Sequence, residues 1–182
     1  MARHLTKNEI MIRLRQQKIA KATAKHTTPM IMSTMMMYVL HKFERFSTNE
    51  LIKFQDYMIE HFNDDVEEAN NLIWDKAGFK IELEDNQSMR IKKTGNQFWD
   101  NLNQHINDYD YSIYAYAHVY ISIALAYLIK YKGFGKKRLT RIKDEMNHMV
   151  NEEGYCNIAE IRKYLLDNAG IATTTNIAEV VG

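Results

Sequence analysis

The segment from Ile113 to Ile129 constrains this chain more than any other: its 17 residues carry no formal charge. A run like this either crosses a membrane or is buried in protein. Crossing takes about 20 predominantly apolar residues, because hydrocarbon offers no water to polar groups. This run is shorter, and it contains Tyr114, Tyr116, His118, Tyr120, Ser122 and Tyr127. The sequence therefore predicts a helix buried in a core or interface. Tyr109, Tyr116, Tyr120, Tyr127 and Tyr131, spaced 7, 4, 7 and 4, line one helix face. Ile113, Ala117, Ile121, Ala124, Leu125 and Leu128 line another, and two apolar faces place the helix at the centre of its fold.

The flanking segments show the same period. One proline and seven glycines in 182 residues suit long helices better than a turn-rich β protein. Thr6 and Glu9 form a capping-box pattern that opens a first, basic helix with a thin stripe of Ile10, Leu14 and Ile19. Thr28-Pro29 predicts a second start, since proline fits the first helical position. Met30, Met32, Met35, Met36 and Met37 then crowd into two turns before Tyr38, Val39, Leu40 and Phe43. That surface belongs in the core, with a dimerisation seam as the alternative. Ser47 and Glu50 repeat the capping box ahead of Leu51, Phe54, Met58 and Phe62.

Strand-like alternation of Phe79, Ile81 and Leu83 with Lys80, Glu82 and Glu84, resumed at Met89 and Ile91, predicts a small β-hairpin over 79–93. Beyond the tyrosine helix, Gly133-Phe134-Gly135 breaks the chain, and Lys136–Val150 directs Leu139, Ile142, Met146 and Met149 inward. Asn157 and Glu160 open a short helix that Gly170 stops.

The expectation is a mainly α fold: a bundle of about six helices, a β-hairpin insertion and a helix-turn-helix-like C-terminal half. Its sections are a basic helix over 1–27, Met-rich and acidic helices over 28–78, the hairpin over 79–93, a helical module over 94–170 and a tail over 171–182.

Net charge is only +1, but the charges are segregated. Residues 1–25 carry seven basic side chains and one acid, residues 44–85 twelve acids and four bases, and residues 130–143 seven bases and no acid. Such blocks bear on electrostatic partners rather than on fold, and solvated helix faces that neutralise one another are the competing explanation. Two candidate surfaces follow. The acidic one is Asp64, Asp65, Glu67 and Glu68 with Glu82, Glu84 and Asp85. Carboxylates on a rigid helix can imitate nucleic-acid phosphates and enter a basic groove. The basic one is Lys130, Lys132, Lys136, Lys137, Arg138, Arg141 and Lys143, placed where a helix-turn-helix outline would contact phosphates and base edges.

Enzymatic signatures are missing. Neither a G-x-x-x-x-G-K-[ST] nor a G-x-G-x-x-G phosphate loop occurs, and Gly133-Phe134-Gly135-Lys136 lacks the preceding strand. No G-x-S-x-G or H-E-x-x-H is present. His61 with Asp65, and Asp64 with Glu68, have i,i+4 spacing, but a solvated helix end explains them better than a metal site. The expectation is a binding protein without catalytic residue, metal or cofactor. The lone Cys156 suits a reducing compartment, and the N-terminus lacks the apolar stretch of a secretory signal, so the expected location is the cytoplasm.

The stretch Tyr131 to Leu139, with its apolar helix ahead and a short capped helix over 158–165 behind, resembles a module of small proteins from phages and mobile elements of Firmicutes. The module covers the C-terminal third of the chain. In length and character the whole chain further resembles the type II-A anti-CRISPR proteins, phage-encoded inhibitors of the host's RNA-guided Cas nuclease. This resemblance implies a partner, the type II Cas nuclease or its guide-loaded complex. It also implies a block of DNA recognition or cleavage in the host cytoplasm, with no membrane involved and with homodimerisation or nucleic-acid contact as additional possibilities. Such nucleases hold nucleic acid in positively charged channels. The alternative is a phage DNA-binding transcriptional regulator that uses residues 130–143.

Overall fold

The computed structural model describes residues 7–62, 64–81, 97–151 and 158–173. Six helices run through them: α1 (Lys7–Glu44), α2 (Thr48–His61), α3 (Val66–Ala77), α4 (Gln97–Lys132), α5 (Lys136–Asn151) and α6 (Ile158–Ala169). The fold is mainly helical.

The two long helices set the frame. At 1.5 Å per residue, α1, with 38 residues, and α4, with 36, are each about 55 Å long. The C-terminal half of α1 packs against the C-terminal half of α4, and α3 covers a second side of α4. Met32, Met35, Met36, Met37, Val39 and Leu40 are all buried where α1 packs against its neighbours, which places the methionine-rich turns in the core of the chain. From Tyr120 to Ile129 every residue of α4 is buried, as two apolar faces require. Leu125 has no exposed surface, and its truncation to Ala should cost about 2–5 kcal/mol.

The tyrosine stripe has a specific counterpart on α2. Phe62 meets Tyr116 and Tyr120, Phe54 meets Tyr127, and Tyr57 meets both Tyr127 and Tyr131, with centroid separations of 4.8–6.4 Å. Edge-on and tilted pairs of this kind add to simple area burial. α6 is held to α1 by Tyr164, which sits edge-on to Tyr38 and bonds to His41 Nδ1 at 3.1 Å. The Thr48 hydroxyl, at the start of α2, donates to the Ala169 carbonyl at 2.7 Å and ties the ends of α2 and α6 together.

Three helices end alike. Arg45, Gly133 and Gly170 have positive φ (58°, 62° and 64°), and the next residue, Phe46, Phe134 or Ile171, is buried. That residue's N–H reaches back to Leu40, Leu128 or Leu165 at 3.1 Å, so each stop satisfies an end carbonyl while inserting an apolar plug. Gly78, also left-handed, ends α3 by donating to Trp74.

Several expectations change here. No second helix starts at Thr28-Pro29: α1 runs unbroken through the 27/28 boundary, with Pro29 inside it. Proline removes one intrahelical donor, and the buried methionines after it lock this part of α1 into the core. Phe79–Ile81 form no strand, and the rest of the expected hairpin lies outside the described residues. Asn70 pairs with both the N–H and the carbonyl of Ile81 at 3.2 Å, much as a neighbouring strand would. His118 Nε2 contacts the same carbonyl, and the buried Ser122 donates to Asn70 at 3.3 Å. The Ser47–Glu50 capping box is present in full. Thr6, Cys156, Asn157 and the tail beyond Thr173 lie outside the described residues. Among those residues no helix is long and apolar enough to cross a membrane.

Candidate partner-binding surface

The acidic candidates that the structure describes cluster where α2 hands over to α3. Asp65 is the N-cap of α3, and its carboxylate accepts from the N–H groups of Glu67 and Glu68 at 2.8 and 3.4 Å. A helix start lacks internal partners for these donors and carries a partial positive charge, so acids here have a structural purpose as well. Asp64 bonds to His61 Nδ1 at 2.6 Å. Glu68 reaches Lys130 of α4 at 3.4 Å, an open pair with the carboxylate 74% exposed. Glu67 makes no ion pair among the described residues, and all four carboxylates remain exposed. Glu82, Glu84 and Asp85 lie outside the described residues.

Aromatic side chains that the charge pattern did not single out accompany these acids. The rings of Tyr57 and His61 stack at 4.1 Å, and Tyr57 also meets Tyr131, which is 62% exposed. Burial first, and then Tyr131, Asp64 and Glu68, raise the Tyr57 phenol above its ordinary pKa. On α3, Ala69, Ile73 and Ala77 face inward. Glu67, Asn71 and Trp74, spaced i, i+4 and i+7, lie together on the exposed side, and Trp74 is 54% exposed. Helical spacing from Glu67 was the available signal for Trp74.

The basic candidates do not form one free surface. Glu44, at the end of α1, has a side chain only 2% exposed, and α5 supplies two arginines to it. Arg138 Nε donates to one carboxylate oxygen at 2.6 Å, and Arg141 Nε donates to the other at 3.1 Å. Arg138 also lies over the Phe134 ring, its guanidinium carbon 3.4 Å from the centroid. Lys132 pairs with Glu50 at 2.6 Å, and Lys130 with Glu68. Lys132, followed by the Ser47 N–H and hydroxyl, holds the Glu50 carboxyl down at about 2. Lys143 lies over Phe79 and 3.7 Å from Asp144. Only Lys136 and Lys137 are exposed without an ion pair among the described members of the set.

Among the described residues no three His, Cys, Asp or Glu side chains are grouped to hold an ion. His61 partners Asp64, not Asp65 as its i,i+4 spacing suggested. Comparison with family models, curated proteins and solved structures returns no match.

Proposed function

We propose that this chain is a non-enzymatic binding protein whose contact surface is the outer face of α3 with the adjoining Tyr57–Tyr131 patch. The observation that carries this reading is the exposure of Trp74 and Tyr131 next to four exposed carboxylates. Interfaces draw most of their energy from a few aromatic anchors, and surrounding charges steer the encounter. A partner with a basic groove fits this surface. Glu67 and Glu68 project from the first turn of α3, with Asp64 and the N-cap Asp65 just ahead of it, and carboxylates set on a rigid helix start can occupy a groove built for phosphates.

The resemblance to type II-A anti-CRISPR proteins supplies the first partner to test, a guide-loaded type II Cas nuclease in the bacterial cytoplasm. Binding there would block DNA recognition or cleavage by filling a positively charged channel. Gel filtration of the purified protein with the apo and guide-loaded nuclease, alongside a gel shift on DNA alone, tests the reading. It expects a salt-sensitive complex with nuclease and no shift of DNA; a shift of DNA without complex formation refutes it.

One observation favours the regulator as a second reading. Lys136, Lys137 and Arg138 crowd the first turn of α5, which has no acid. Cations are unfavourable at that end of a helix, whereas an anion binds well there. The turn joining α4 to α5 would then present Lys136 and Lys137 to phosphates, in the manner of a helix-turn-helix unit. The commitment of Arg138 and Arg141 to Glu44 weighs against base readout by these two side chains.

A further inference from the structure

A cavity of about 510 Å³ opens between the C-terminal half of α1, the second half of α2 with the residue after it, and Tyr120 in the C-terminal half of α4, with the chain just after α6 along its edge. It lies apart from the acids of α3 and from the α5 lysines. Its walls are mostly apolar, with thioethers from Met30, Met37 and Met58 and the ring of Phe62, and no lining residue carries a formal charge. Ligand cavities commonly fall in this range of size, with apolar walls and a few polar groups that fix orientation.

The polar groups are unusual. Tyr120 is 2% exposed and lines the cavity, yet its hydroxyl has no hydrogen-bond partner of good geometry, although it faces the Ser33 side chain. The buried Thr173 hydroxyl, also in the wall, is likewise unpartnered. Thr34, by contrast, donates to the Met30 carbonyl at 2.9 Å and is satisfied. A buried hydroxyl without a partner costs the fold free energy, and native interiors rarely leave one so. Two around one cavity call for a shared explanation.

We infer that this cavity binds a small neutral molecule, chiefly apolar, whose carbonyl oxygen accepts a hydrogen bond from the Tyr120 hydroxyl. The uncharged walls disfavour a carboxylate or an ammonium group, since an ion brought there would lose its hydration without gaining a counter-charge. The three methionines accommodate an aromatic or branched body, because the thioether chain adapts its shape and is attracted to rings.

The fluorescent ketone 6-propionyl-2-dimethylaminonaphthalene is the probe: neutral, aromatic and bearing one carbonyl. Titrated into the full-length protein, it should bind saturably at one site with blue-shifted emission. Tyr120→Phe keeps the ring and removes the hydroxyl, so it should weaken binding roughly five- to tenfold while melting at or above the wild-type temperature. Ser33→Leu, which fills the cavity from α1, should abolish saturable binding without unfolding the chain, as judged by far-UV circular dichroism. Absence of saturable binding to the wild type overturns the inference, as does unchanged affinity in Tyr120→Phe or in a folded Ser33→Leu. Complex formation with a nuclease is a separate readout, so failure of one proposal leaves the other standing.

Discussion

Removing both arginines that hold Glu44 should destabilise the protein more than removing the glutamate itself. The Glu44 side chain is 2% exposed, and its counter-charges among the described residues are Arg138 and Arg141, whose side chains are 44% and 49% exposed. Arg138→Ala/Arg141→Ala therefore strands an anion in the interior, the arrangement that costs about 3–5 kcal/mol when a buried pair is broken. Partial solvation of the guanidinium groups puts the expected loss near the lower end, about 3 kcal/mol, including the stacking of Arg138 on Phe134. For a chain of this size that is about 6–12 °C in Tm. Each single variant should lose about 1–2 kcal/mol, because the remaining guanidinium still faces the carboxylate. Glu44→Gln should cost less than the double variant, since the freed arginines can turn to water. Glu44→Leu/Arg138→Met/Arg141→Met should recover most of the loss, as apolar replacement of a whole buried ion cluster often does. Urea denaturation followed by circular dichroism reads all of these. A double variant within about 0.5 kcal/mol of wild type, or Glu44→Gln costing more than the double variant, refutes the reasoning. If the clamp behaves as expected, loss of DNA binding after mutation of Arg138 or Arg141 reports on folding, and Lys136 and Lys137 become the proper probes of nucleic-acid contact.

Four further outcomes follow from single substitutions. Gly133→Ala places a Cβ at φ 62° and should cost about 1–2 kcal/mol in urea denaturation, whereas Arg45→Gly, at φ 58°, should leave stability unchanged or raise it. Asp65→Ala removes the cap of α3 and should cost about 1 kcal/mol; no loss would mean that the two N–H groups find other acceptors. Glu50 titrates at about 2 in the folded chain against an ordinary value of 4.5. Such a depressed carboxylate adds stability above pH 4.5, and that contribution disappears as pH falls through about 2. Glu50→Gln should therefore flatten the acid limb of a Tm–pH profile in that window, and an unaltered limb would mean that Lys132 does not stabilise the ionised form.

Features set by neighbours in sequence were legible. The Ser47–Glu50 box, the Gly133-Phe134-Gly135 stop and the tyrosine stripe from Tyr116 to Tyr131 depend on spacings within two turns, and each stands where its pattern put it. Pro29 misled because its local preference for a helix start is weaker than the packing of the methionine turns that follow. At Phe79–Ile81 period-two spacing does not say what the backbone pairs with: there Ile81 bonds to the Asn70 side chain, and the rest of the expected hairpin lies outside the described residues. The fate of the basic set was illegible, since Glu44 meets Arg138 and Arg141 across 94 and 97 positions. Counting charges along the chain grouped these arginines with Lys136 and Lys137, although the fold uses the two kinds of side chain differently. Trp74 went unremarked because a single aromatic residue carries no period of its own.

The most direct test of the central claim is the inhibition of DNA cleavage by a guide-loaded type II Cas nuclease, titrated with three versions of the protein. The account predicts inhibition by the wild type and by Lys136→Ala/Lys137→Ala at similar concentrations. It predicts at least a tenfold weaker effect from Glu67→Lys/Glu68→Lys/Trp74→Ala, equivalent to about 1.4 kcal/mol of binding, with an unchanged circular dichroism spectrum. Failure of the wild type to inhibit, or full inhibition by the altered α3 face, would contradict it.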